Sequence, residues 1–205
     1  MNMLYTNQIK LMEAIKRVGL IDFLFLLLVL RIGYIAVSKG VTAEIFKTLG
    51  ISIGSFFAFQ YYPSLAEQIN KKVIILNKAY LDAISFLLIF IGIVGIFSLL
   101  RRMVAFLVHK KEISLQERRV SLCVGILRYA FFSSAMIFFL YLSPLNPEHF
   151  EKSISFKLFK NIAPKMYLTG MSFYNKFEPA IVTNKEVKKY YEAKESLSRI
   201  RKKRR

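Results

Sequence analysis

Four long apolar blocks govern what this chain can become. They occupy residues 18–38, 45–62, 79–100 and 120–142, and run to 21, 18, 22 and 23 residues. An α-helix rises 1.5 Å per residue, so about 20 residues cross the hydrocarbon core of a bilayer and each block can span it. A core helix of a soluble protein keeps one polar face, and from Ala83 to Ile96 the third block shows none. Tyr34, Tyr61, Tyr62, Tyr80 and Tyr141 fall near block ends, as in an interfacial ring. The expected fold is all-α: an integral membrane bundle of four transmembrane helices with an interfacial helix and a basic C-terminal tail.

The apolar content of 55% coexists with a net charge of +18. Fifteen of the 31 basic residues follow Leu142, and six lie between Arg101 and Arg119. Their placement speaks of topology and of anionic lipid. The apolar residues come in blocks and not in stripes, which argues against a soluble nucleic-acid-binding domain. Cys123, the single cysteine, excludes an internal disulfide framework and reads as a small buried apolar residue. With only His109 and His149 besides, a His/Cys zinc cage is excluded, and neither metal nor cofactor is expected.

Four regions follow. Residues 1–17 form an amphipathic or frayed basic leader, and 18–145 the four-helix transmembrane domain. Within it, 39–44 is a tight hairpin with Gly40 as a helix end, 63–78 joins the second block to the third, and 101–119 is the long basic loop. Residues 146–182 are an interfacial segment: Ile154, Leu158 and Ile162 recur every four residues among lysines, with Pro164 ending the helix. Residues 183–205 are a polybasic tail ending RIRKKRR, too polar to bury a core and expected to be mobile beyond a short helix over 185–200. Within 15–20 residues of the spans, basic residues number nine on the side of the termini and seven on the other. Both termini are therefore expected in the cytoplasm, with the tail on the anionic leaflet and not on nucleic acid.

Ionisable groups inside a span are expensive and mark candidate sites: Asp22, Arg31, Lys47, Asp82 and Arg128. Asp22 and Asp82 sit near the starts of their blocks, where a carboxylate suits a helix N-terminus. Arg31 lies seven residues before the end of the first block and Arg128 eight after the start of the fourth. Alternating spans place both about 10–12 Å inside the same membrane boundary, and Lys39, Glu44 and Glu117 sit at that boundary. A polar cluster of Arg31, Lys39, Glu44, Glu117 and Arg128 is expected, with Glu44 the partner of either arginine; snorkelling arginines are the alternative. Gly50, Gly54, Ala58 form a strip of small residues that packs on the chain's own first or third helix or mediates self-association. There is no Gly-rich phosphate loop, paired histidine or nucleophile–base motif, and Ser133 and Ser134 read as satisfying helix backbone.

The order Asp22, apolar stretch, Lys39-Gly40, Glu44 and a Gly-rich second span resembles the first hairpin of the bacterial colicin V production (CvpA-type) membrane proteins, a D…RG…E…G pattern. Glu117-Arg118, Gly125 and Leu127-Arg128 fit that family's D-R-x-x-G-x-x-x-G-x-x-R-G pattern, with Ser121 in place of its first glycine and Tyr129 in place of its last. The resemblance covers roughly residues 19–145. It implies a bacterial inner-membrane protein of about four spans, linked to toxin production and envelope physiology without enzymatic activity. The expected function is a non-enzymatic envelope or export-associated factor acting through helix packing, as a homo-oligomer or with a partner membrane protein. The alternative is a small oligomeric channel or transporter whose polar path is lined by Arg31 and Arg128.

Overall fold

The computed structural model describes residues 20–72, 77–107, 114–144, 153–177 and 183–193. The 1–17 leader and the RIRKKRR end of the tail lie outside these residues. Every regular element among the described residues is helical: α1 (Leu20–Lys72), α2 (Lys78–Leu107), α3 (Leu115–Leu142), α4 (Ile154–Phe159), α5 (Ile162–Tyr174) and α6 (residues 185–193). The first three are long and apolar enough to cross a membrane.

α1 is 53 residues long but not continuous, because Gly40 breaks it with φ 75° and ψ 167°. That region of backbone space is essentially reserved for glycine, so the break is written into the residue type. Contacts on either side trace a reversal. In the first limb, residues 20–39, Phe25 lies by Tyr129 and Ala36 by Ser121, so it runs antiparallel to α3. In the second limb, residues 41–72, Thr48 reaches Val124 and Phe59 packs on Phe138, so it runs parallel to α3. α2 then descends antiparallel to both, with Phe86 on Phe59 and Phe138, and Phe90 on Phe132. Two limbs, α2 and α3 alternate in direction, as four short-looped apolar blocks should.

The helices overrun the apolar blocks, which corrects two expected loops. The second limb continues through Pro63 to Lys72 where a connection was expected from residue 63. Proline lacks the N–H that would bond Phe59 C=O, an interior helix loss of about 3 kcal/mol. Here Asn184 Nδ2 donates to that carbonyl at 2.6 Å, so the orphaned acceptor is satisfied from 125 residues away. α2 likewise extends to Leu107, and α3 begins at Leu115 behind the N-cap Ser114, whose Oγ accepts from the Glu117 N–H at 3.2 Å.

One end of the bundle, where the first limb starts and α3 stops, is covered by α4, α5 and α6. The expected single amphipathic helix ending at Pro164 is two helices instead. Pro164 sits in the first turn of α5, where its missing N–H would have been unpaired anyway. The Ile154/Leu158 face points outward, Leu158 being 65% exposed, while Phe156 is buried against Phe25, Tyr129 and Ile137. α6 corrects the reading of residues 183–205 as too polar to bury a core: Val187 and Tyr190 are fully or nearly fully buried, and Tyr190 stacks edge-on to Phe138. The principal core is aromatic, with Phe59, Tyr62, Phe86, Phe138, Tyr167 and Tyr190 packed in one cluster; each ring pair within it adds about 0.5–1.5 kcal/mol beyond its buried area.

Candidate functional site

At the opposite end, around the Gly40 reversal, the charged residues gather. Glu44 lies one helical turn into the second limb and is completely buried. Its Oε2 is 3.0 Å from Nη1 of Arg128 on α3, itself only 5% exposed. Its Oε1 pairs with Lys47, three residues on and therefore on the same face. The Arg128 Nη2 also donates to Ile32 C=O in the first limb at 3.5 Å. One carboxylate and one guanidinium thus tie both limbs of α1 to α3. Thr48 adds a bond to Glu44 C=O at 2.8 Å.

Gly125 explains how the limbs come so close. A Cβ there would stand 2.6 Å from Ala36 Cβ, with Glu44 Oε2 at 3.8 Å and Ile32 C=O at 4.0 Å. Glycine is required for close approach, one turn before the arginine that exploits it. Nearby, Ser121 donates to Ala36 C=O, so a residue in a glycine position of the resembling pattern becomes a cross-helix bond.

The other expected cluster members separate. Glu117 is not part of the ion network; its Oε1 accepts from the Val41 N–H at 3.3 Å and so caps the second limb just past Gly40. Arg31 and Lys39 are exposed and make no ion pair with the described residues. Both instead line a cavity of about 450 Å³, with Lys47, Arg101, Arg128 and apolar side chains from both limbs, α2 and α3. Lys47 and Arg101 were missing from the expected cluster. The signal for Lys47 is its position three residues from Glu44; Arg101 reads as the start of a loop, and helix through to Leu107 brings it inward.

At the covered end, Asp22 is buried and terminates a helix other than its own. It accepts from Ser153 Oγ at 2.6 Å and from the N–H groups of Ser155 at 2.8 Å and Ile154 at 3.3 Å, the N-terminus of α4. Asp82 is buried in α2 within electrostatic range of Lys78 and Glu186. Burial holds the Tyr167 phenol above its usual pKa, so it stays neutral. It donates to Gln60 and accepts from the Asn184 N–H at 2.8 Å.

The small-residue strip faces the chain's own α2: a Cβ at Gly50 would meet Phe97 at 2.8 Å and one at Gly54 would meet Val94 at 3.3 Å, while Ala58 is fully buried. Ser134 does not serve its own helix; its Oγ accepts from the Ala163 N–H at the start of α5. Cys123, expected buried, is exposed. Among the described residues no three His, Cys, Asp or Glu side chains gather as metal ligands would.

Leu24, Leu27, Leu30, Leu88, Ile91 and Leu99 all face outward, far more apolar surface than water tolerates. Long apolar helices, an outward apolar belt and charges turned inward define a multi-pass helical membrane protein. The profile of the family described as Colicin V production protein matches residues 21–164, and the chain belongs to that family. No curated protein and no solved structure matches it.

Proposed function

We propose that this chain is a four-crossing protein of the bacterial inner membrane, acting without catalysis in toxin export or envelope homeostasis by presenting a rigid bundle to partner membrane proteins and lipid. One observation carries the reading: the charges buried at the Gly40 end are spent on holding helices together. Glu44 and Arg128 join both limbs of α1 to α3, while Asp22 and Glu117 terminate backbone. None of these groups converges with another on a point where a substrate atom would react. The Gly40 reversal supports counting α1 as two crossings, since each limb supplies about 20 or more residues. The excess of basic residues beside the termini supports a cytoplasmic location for both.

Export is the activity to test. In a bacterium making a colicin V-type toxin and lacking its own protein of this family, this chain is expected to restore the zone of growth inhibition on a sensitive lawn. Glu44→Gln, which loosens the bundle, is expected to shrink that zone. Wild-type chain inserted in the inner membrane without restoring any zone overturns the export reading.

A further inference from the structure

The cavity at the Gly40 end carries all its charges on the side of the membrane boundary and has only apolar side chains at its deepest level. Lys39 lies at the reversal and Arg101 near the end of the third apolar block, both at the membrane boundary. Arg31 and Arg128 are about 10–12 Å deeper. Leu28 and Phe132 lie deeper still, about 18 Å from the Gly40 level at 1.5 Å per residue. Five cations line the cavity, and no carboxylate among the described residues does. Glu44 lies behind the wall and neutralises one charge, shared between Lys47 and Arg128. Arg31, Lys39 and Arg101 have no ion-pair partner among the described residues. Arg128, 95% buried, keeps its Nε buried and without a hydrogen-bond partner, and so does Arg101. Buried guanidinium N–H groups without acceptors are costly in a low-dielectric setting and call for an anion.

We propose that this cavity binds an anionic phospholipid, its phosphate held by Arg31, Arg101 and Arg128 at the charged end and an acyl chain lying along Leu28, Ile32 and Phe132. Guanidinium groups match phosphate oxygens in paired N–H···O bonds, which lysine alone cannot do. A free inorganic anion would satisfy the charged end but leave the apolar length of the cavity unfilled. A phospholipid fills both, and it reaches the cavity sideways from the leaflet in which the bundle sits. This inference rests on the membrane setting of the bundle and not on the export role, so its failure leaves that role standing.

The test is lipid retention by the full-length protein in mild detergent, read by native mass spectrometry. Phosphatidylglycerol is expected to stay bound at least tenfold better than phosphatidylcholine of the same chain length. Arg101→Gln, at a residue that makes no ion pair, is expected to abolish that preference with the protein still folded by circular dichroism. Arg102→Gln removes the same charge one residue along, outside the cavity, and is expected to leave the preference unchanged. Inorganic phosphate at millimolar concentration is expected not to displace the lipid. Equal retention of the two lipids, equal effects of the two substitutions, or full displacement by phosphate each overturns the proposal.

Discussion

Glu44→Gln is expected to destabilise the bundle by about 3–5 kcal/mol, the loss typical when one partner of a buried ion pair is removed and the other stays buried. Arg128 carries most of this effect. It is 5% exposed, lies inside a bundle and has no second carboxylate within reach among the described residues. Lys47 is less confined and can turn outward. Arg128→Gln alone leaves Glu44 paired with Lys47 and is expected to lose less. The double variant Glu44→Gln/Arg128→Gln is expected to lose clearly less than the sum of the two, measured by equilibrium unfolding in mixed micelles. Additive losses mean that the two groups are not coupled. The same cycle with Arg31 in place of Arg128 is expected to be additive, because Arg31 faces the cavity and not Glu44.

Gly125→Ala carries the second large effect. Carbon atoms rest 3.5–4.0 Å apart, and the new methyl would be 2.6 Å from Ala36 Cβ. Ala36 is fully buried on the first limb and has nowhere to go, so α3 and that limb must separate by about 1 Å. The separation stretches the Ser121–Ala36 bond and the Arg128 bridge at once. Overpacking of this kind costs about 1–3 kcal/mol. Ala36→Gly in the same chain is expected to restore much of it by returning the lost space. Gly92→Ala is the matched control: a Cβ there meets nothing within 4 Å, and alanine favours helix by up to about 1 kcal/mol. A Gly125→Ala variant as stable as Gly92→Ala would mean that the two helices do not touch at that point.

Much of this architecture was legible because lipid imposes a simple period on sequence. Twenty apolar residues in a row have few alternatives, and a Lys-Gly pair between two such blocks marks the reversal. Depth was legible too. Counting 1.5 Å per residue from the block ends puts Arg31 and Arg128 at one level, with Glu44 at the boundary of the same membrane side. Rotation about the helix axis was not. Arg31 sits at the same depth as Arg128, yet only Arg128 reaches Glu44, and spacing alone does not say how a limb is turned against its neighbours.

Two of the remaining misreadings share a cause: the deciding partner is distant in sequence. Pro63 reads as a stop when only local bonds are counted, but Asn184 supplies the acceptor's missing donor. Residues 183–193 average as polar, yet Val187 and Tyr190, three apart, share the one face that docks. Cys123 reads as interior by residue type, but in a bundle whose outside is apolar a thiol needs no such shelter.

Four crossings turning at Gly40 are the centre of this reading, and cysteine accessibility tests them most directly. In a Cys123→Ser background, single cysteines replace Lys39, Asn77 and Ser114, all exposed at helix ends. A membrane-impermeant maleimide is applied to intact cells and then to permeabilised ones. Four crossings predict that positions 39 and 114 react from one side of the membrane and position 77 from the other. Labelling of positions 39 and 77 from the same side would contradict the reversal and remove the basis for a four-crossing bundle.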